Sequence, residues 1–335
     1  MIIQLERGID EEVRSSVENQ LKELKYKTTS VRTQYGEYLI GTGKKAFDIR
    51  DIGRINGIKD IHVVSDDYKL VSRKWKVNRT QIDLGDGVVV GDGAFAVMAG
   101  PCSIEGEENI QDTIDFLKKN DVKIMRGGVF KPRSSPYSFR GLGIEGLKMW
   151  HKLARENGIK IVTEVMQVSQ IEEMDEYVDM YQVGARNTQN YNLLDALGEI
   201  DKPVMIKRGI SGTIDELLHS AEYVFSGGNE RLLLCERGIR TYERASRNTF
   251  DINAIPILRE KSHLPVIADP SHGVGIRDYV ESIAMASTVA GADGVIFEIH
   301  NKPEEAYSDG QQTLDFGESA RLIKKLNQLK SLINS

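Results

Sequence analysis

Four residues far apart in the chain, Cys102, His272, Glu298 and Asp309, offer one thiol, one imidazole and two carboxylates. Thiolate, neutral imidazole and carboxylate oxygen together make a mixed donor set for one divalent metal ion. Taken singly, Cys102 also reads as a small buried apolar residue and His272 as a structural histidine. The metal reading depends on the four meeting in space. A second set is cationic: Arg126, Lys131, Arg133, Arg186, Lys207 and Arg237 lie at or just beyond the ends of short apolar runs. Any one of them can snorkel to solvent, but cations converging on one cleft repel unless anions join them. Arginine grips carboxylate or phosphate at two points, and lysine supplies a point charge. The expected ligand is therefore strongly anionic, a phosphate with a carboxylate or two phosphates. Glu164 and Asp269 read as groups that orient a lysine or the metal donors. His300, two residues past Glu298, is a second-choice ligand. Cys235, Trp150, Met166, Met174 and Met180 read as core, Trp75 as an anchor, and His151, His219 and His263 as solvated.

A closed barrel would bring such distant residues together. Eight short apolar runs, at 95–99, 124–126, 160–163, 180–183, 204–206, 232–234, 266–268 and 295–297, recur about every 28 residues. Amphipathic helix patterns fill gaps between them, over 109–119, 142–157, 214–225 and 279–290, and another follows the last run over 316–332. Eight β/α units at this spacing predict a (β/α)8 TIM barrel, whose reactive groups lie at the C-terminal strand ends. A doubly wound sheet would carry a glycine-rich dinucleotide loop after its first strand, and the first run is followed only by AGPCS. In a closed barrel the eighth strand neighbours the first, so Cys102 can meet Glu298 and Asp309.

The rest of the chain sorts around that barrel. Residues 1–65 predict a small α+β ferredoxin-like domain in βαββαβ order: strands at 2–5, 27–33, 37–41 and 58–64, a helix capped by Asp10, and a short helix near 47–55. Residues 66–80 read as a polar, basic linker. Residues 81–335 are the barrel domain, entered by a hairpin over 81–97 with two Gly-Asp-Gly turns. The chain has 335 residues and a formal charge of −6, with no run apolar enough to span a membrane and no basic block suited to nucleic acid. The first dozen residues read as no secretory signal, and two cysteines make no disulfide framework, so the cytoplasm is expected.

The motifs AGPCS, RGGVFKPRSSPYSFRGLG, GARNTQN, KRG, CERGIRTYE and DPSHGVG, taken in order from about residue 81 to 332, resemble those of type I 3-deoxy-D-arabino-heptulosonate 7-phosphate (DAHP) synthases. The resemblance implies an aldol-type condensation of phosphoenolpyruvate with erythrose 4-phosphate and water, releasing phosphate, at the start of the shikimate pathway. It implies that Cys102, His272, Glu298 and Asp309 hold one divalent metal ion, its identity left open. Arg126, Lys131, Arg186, Lys207 and Arg237, with a backbone contact from Ala185, match the phosphoenolpyruvate positions. Lys131, Pro132, Arg133, Ser134 and Asp269 are assigned to erythrose 4-phosphate. Ser134 stands where the family commonly has Thr. Lys131, His272 and Cys102 are the implied catalytic residues, with Lys131 the proton donor to the nascent hydroxyl. The N-terminal domain resembles modules that bind an aromatic amino acid and inhibit by covering the barrel mouth, with Thr28, Thr29 and Ser30 as a polar stretch facing such an effector. The family also implies a homotetramer. The nearest alternative is the sister enzyme that makes 3-deoxy-manno-octulosonate 8-phosphate from arabinose 5-phosphate. Its segment after the second strand typically reads Lys-Ala-Asn-Arg-Ser, one residue longer than Lys131-Pro132-Arg133-Ser134. Further alternatives are a Schiff-base aldolase using Lys207 and a non-catalytic amino-acid sensor.

Overall fold

The structure is a computed structural model that describes residues 1–43, 55–131, 137 and 139–334. At the N-terminus, β1 (Ile2–Leu5), α1 (Glu11–Glu23), β2 (Lys27–Arg32), β3 (Glu37–Thr42) and β4 (Ile58–His62) follow one another. The strands form one antiparallel sheet in the order β2-β3-β1-β4, with Ile2 opposite both Ile40 and His62. This is the sheet expected of a ferredoxin-like domain. Asp10 caps α1 as expected, accepting from the Glu12 amide. The helix stops at Glu23, because Lys25 takes a left-handed φ of 63° to turn into β2. Val17 and Leu21 of α1 pack on Ile3, Leu5, Leu39 and Ile61 of the sheet. The short helix expected near 47–55 falls, except for Ile55, outside the described residues.

Residues 66–80 lie packed along the flank of the second domain. Tyr68, Leu70, Val71 and Trp75 are buried. The Glu222 carboxylate accepts from the Leu70 and Val71 amides at 2.9 and 3.0 Å. His263 corrects the expectation of a solvated ring: it is 0% exposed, between Thr80 Oγ1 at 2.7 Å and the Leu70 carbonyl at 2.8 Å. Burial drives its pKa down to about 3, so it sits there neutral. The sequence around it, Lys-Ser-His-Leu-Pro, gives no hint of a strap arriving from almost two hundred residues away.

A two-stranded hairpin follows, β5 (Ile82–Asp83) against β6 (Val89–Val90). Then come eight parallel strands: β7 (Ala96–Gly100), β8 (Ile124–Gly127), β9 (Lys160–Val165), β10 (Met180–Val183), β11 (Val204–Lys207), β12 (Leu232–Glu236), β13 (Val266–Ala268) and β14 (Gly294–Glu298). They close into a barrel, β14 pairing with β7. Each strand falls within two residues of its expected span. Helices alternate with them outside: α2 (Glu107–Lys119), α3 (Gly143–Glu156), α4 (Ser169–Met174), α5 (Tyr191–Gly198), α6 (Ile214–Gly227), α7 (Ala254–Lys261), α8 (Pro270–Val274), α9 (Arg277–Val289) and α10 (Phe316–Asn334). The barrel interior is filled by Met98, Ile124, Val162, Met180, Met205, Leu233, Cys235, Ile267 and Ile296. Ile82, Leu84 and Val90 of the hairpin join this cluster and close its N-terminal end. The turn between them places Asp86 against Lys160 Nζ at 2.7 Å, with Gly85 and Gly87 at φ of 82° and 77°.

The N-terminal sheet docks at that same closed end. Thr33 Oγ1 donates to Glu230, and the Glu230 amide donates to Gln34 Oε1 at 3.1 Å, in the loop that precedes β12. The opposite, C-terminal end of the strands is left open.

Candidate active site

Strand geometry puts the motif residues on that open rim. β7 and β8 approach so closely at Gly100 that a Cβ there would lie 1.9 Å from the Arg126 carbonyl. This lets Cys102 sit beside Arg126 and Lys131. The Lys131 ammonium donates to the Cys102 carbonyl at 2.8 Å and meets its Sγ at 3.0 Å. The loop after β14 brings Asp309 across, with Cys102 Sγ 3.1 Å from Asp309 Oδ2. Ligand atoms of Cys102, Glu298 and Asp309 all lie within 4.8 Å of one another. His272 stands next to them, its Nε2 3.4 Å from Glu298 Oε1. Its Nδ1 is held by Asp269 at 2.8 Å, which leaves Nε2 facing the cluster. Burial lifts the Cys102 thiol to about 12, with Glu298 adding to the rise and Lys131 opposing it. Burial would also lift the Glu298 carboxyl, but His272 and Arg126 outweigh it and hold the group below its ordinary value. A buried and a partly buried carboxylate side by side, with a thiol and an imidazole aimed between them, form a donor set suited to a divalent cation.

Beside this cluster, Arg126, Lys131, Ala185, Arg186, Lys207, Arg237 and His272 line a cavity of about 160 Å³. All but His272 are the phosphoenolpyruvate positions expected from the motifs. Three of these cations, Arg126, Lys207 and Arg237, are set by fixed partners. Arg126 donates to the Pro101 carbonyl at 2.7 Å and to Glu298 Oε1 at 3.3 Å. Lys207 donates to Asp269 Oδ2 at 2.5 Å. Arg237 donates to the His272 carbonyl at 3.2 Å, and burial lowers its pKa. Glu164 also lines the cavity. Its carboxylate lies where a side chain on Gly184 would be, 1.9 Å from the Cβ position. That explains the glycine opening the GARNTQN segment.

Three comparisons bear on this rim. A family model described as the DAHP synthetase I family matches residues 76–335. The chain belongs to the DAHP synthetase I family. A phospho-2-dehydro-3-deoxyheptonate aldolase of Thermotoga maritima is 49% identical over 262 residues, covering 78% of this chain and 77% of the relative. The crystal structure of phospho-2-dehydro-3-deoxyheptonate aldolase (DAHP synthase) from the same organism superposes with a TM-score of 0.79 at 42% identity, covering 99% of this chain and 97% of that one. A 2-dehydro-3-deoxyphosphooctonate aldolase of Syntrophobacter fumaroxidans is more distant, at 33% identity over 265 residues, 74% of this chain and 91% of the relative. The activity read from the motifs thus stands: this member of the DAHP synthetase I family condenses phosphoenolpyruvate with erythrose 4-phosphate in aromatic biosynthesis, and the octulosonate alternative is the weaker one.

Within this family site, several residues carry more than the sequence suggested. Asp269, read as an aldehyde contact, is 1% exposed with both oxygens occupied by Lys207 and His272. Burial would raise its pKa, yet those two partners hold it well below the usual range. It stands beneath the cavity as the group that orients its neighbours, the other role the sequence suggested. His300, the second-choice ligand, turns away: its Nε2 meets Glu105 at 3.3 Å, and its Nδ1 accepts from the Lys302 amide at 3.0 Å. Pro132, Arg133 and Ser134 lie outside the described residues. Arg240, Arg247, Asn248 and Gln182, which the strand-end reading passed over, also line the cavity. Arg240 belongs to the CERGIRTYE motif itself, so the signal for it was present.

Proposed function

We propose a division of labour among the rim residues for this condensation. Its support is one observation: the cationic cavity and the Cys102–His272–Glu298–Asp309 cluster share a wall at the barrel mouth. Arg126, Arg186, Lys207 and Arg237 hold the phosphate and carboxylate of phosphoenolpyruvate, with the Ala185 backbone beside them. Lys131 spans the two halves and hands a proton to the aldehyde oxygen as the new carbon–carbon bond forms. Water then adds at the carbon bearing the phosphate, the carbon–oxygen bond breaks, and phosphate leaves with its charge met by the cavity arginines. Pro132, Arg133 and Ser134, which follow Lys131 in the sequence, are proposed to receive erythrose 4-phosphate. Asp269 fixes the direction of Lys207 and His272.

The donor set fits one divalent ion of the Mn2+, Fe2+ or Zn2+ kind, held by Cys102, His272, Glu298 and Asp309. Such an ion, when bound, supplies Lewis acidity to the aldehyde carbonyl or lowers the pKa of a water. Cys102 must give up its proton to serve it, and Lys131 lies 3.0 Å from the sulfur to stabilise the thiolate.

The N-terminal domain is proposed to sense an aromatic amino acid. Thr28, Thr29 and Ser30 lie on β2, an edge strand, with Thr29 and Ser30 exposed. The domain docks at the closed end of its own barrel, so covering the mouth requires a second subunit, in keeping with a homotetramer. Removing residues 1–65 should leave activity and abolish inhibition by tyrosine or phenylalanine. Among the described residues no helix is long and apolar enough to cross a membrane, and the proposed compartment is the cytoplasm.

Phosphate release measured with phosphoenolpyruvate and each aldehyde in turn tests the substrate assignment. Erythrose 4-phosphate should be preferred, and a clear preference for arabinose 5-phosphate would overturn it.

A further inference from the structure

The two carboxylates of the metal-type cluster are held by residues that no motif assigned. Gln312 follows Asp309 in a short 3-10 turn and is 0% exposed. Its Nε2 donates to Glu298 Oε2 at 2.6 Å, while its Oε1 accepts from Arg247 Nη1 at 2.9 Å. Arg247 comes from the loop between β12 and α7, and the same nitrogen is 3.6 Å from Asp309 Oδ1. Guanidinium only donates, so the amide oxygen of Gln312 must face Arg247 and its NH2 must face Glu298. Glu298 is thereby pinned at one oxygen, and the other is turned toward His272 at 3.4 Å. Asp309 is held at a left-handed φ of 52°, a conformation that costs an ordinary residue energy and must be kept by its surroundings.

We propose that Gln312 and Arg247 are positioning residues that aim the Glu298 and Asp309 carboxylates at a shared divalent ion. Arg247 sets the orientation of the Gln312 amide, and the amide sets Glu298. This rests on the ligand assignment proposed above. Residues beyond the ligands that orient them typically change metal affinity by about 10- to 100-fold when removed.

The test is a Mn2+ titration of the metal-stripped, full-length protein, with free Mn2+ read by electron paramagnetic resonance. Gln312→Met keeps the length of the side chain and removes both hydrogen bonds. It should weaken Mn2+ binding about 10- to 100-fold. Arg247→Met should weaken it too. A simple charge effect has the opposite sign, because loss of a cation beside the site would tighten a divalent ion. The double variant should lose less than the product of the two single losses, since part of the effect of Arg247 passes through the Gln312 amide. Unchanged affinity in Gln312→Met, or tighter binding in Arg247→Met, overturns the inference. So does a loss of affinity that merely follows a fall in the melting temperature of the metal-free protein. Arg247 is about a third exposed, so its variant keeps the test decisive if Gln312→Met fails to fold. If the unmodified protein binds no Mn2+, the ligand assignment fails with it. If the unmodified protein binds Mn2+ and the variants match it, only the positioning role fails.

Discussion

The two ends of this barrel are built from the same eight strands and do opposite things. At the closed end, Ile82, Leu84 and Val90 of a hairpin cover a column of methionine, valine, isoleucine and leucine side chains. At the open end, Arg126, Lys207, Arg237, Asp269 and Glu298 are buried at the strand termini. Burying apolar surface stabilises a fold at roughly 25 cal/mol per Å2, whereas burying charges costs several kcal/mol each unless they are well paired. The mouth is therefore the expensive end, and its pairing is tight: Lys207 with Asp269, Arg126 with Glu298, His272 with both. The comparison teaches that stability is vested in one end and chemistry in the other, so substitutions should separate the two.

The largest effect should come from the mouth. Cys102→Ala or His272→Ala should lower kcat by at least about 100-fold and remove stoichiometric metal, as read by elemental analysis of the purified protein. Activity within a few-fold of the unmodified enzyme would break the division. Next, Lys131→Met should lower kcat by about 10²–10⁴-fold, the usual range for a lost proton donor, with a smaller change in the KM for phosphoenolpyruvate. A KM effect alone would recast Lys131 as a binding group. At the other end, Leu84→Ala should cost about 2–5 kcal/mol in urea unfolding while leaving both KM values near their original level. A large KM change there would mean that the two ends are coupled.

A further prediction concerns the strap. His263 is buried neutral with a pKa near 3, against 6.5 in the unfolded chain. Between those values the unfolded state binds more protons, so this residue's contribution to stability grows as pH rises from about 3 to 6.5 and is lost as pH falls through that window. The gap in melting temperature between the unmodified protein and His263→Gln should widen over that range. A constant gap would show that the ring titrates normally.

Much of this was legible in the chain because it is local. Strands such as Met180–Val183 and Val266–Ala268 are short, wholly buried apolar runs, and their C-terminal neighbours mark the site. Adjacency of β14 and β7 follows from closure alone, which is why Cys102 and Glu298 could be paired across almost two hundred residues. Gln312 and Arg247 were not legible, because an amide and an arginine in loops acquire their roles only from the turn that Asp309 makes. His263 was misread for a related reason: its partners, Thr80 and the Leu70 carbonyl, arrive on a remote strap. Asp269 was legible in type and position, but its engagement on both oxygens depends on where Lys207 and His272 converge.

Phosphate release from phosphoenolpyruvate and erythrose 4-phosphate, followed while metal-stripped protein is titrated with Mn2+, tests the central claim most directly. The mouth described here predicts negligible release without metal and full activity at one equivalent per chain. Undiminished release from the stripped protein would contradict it.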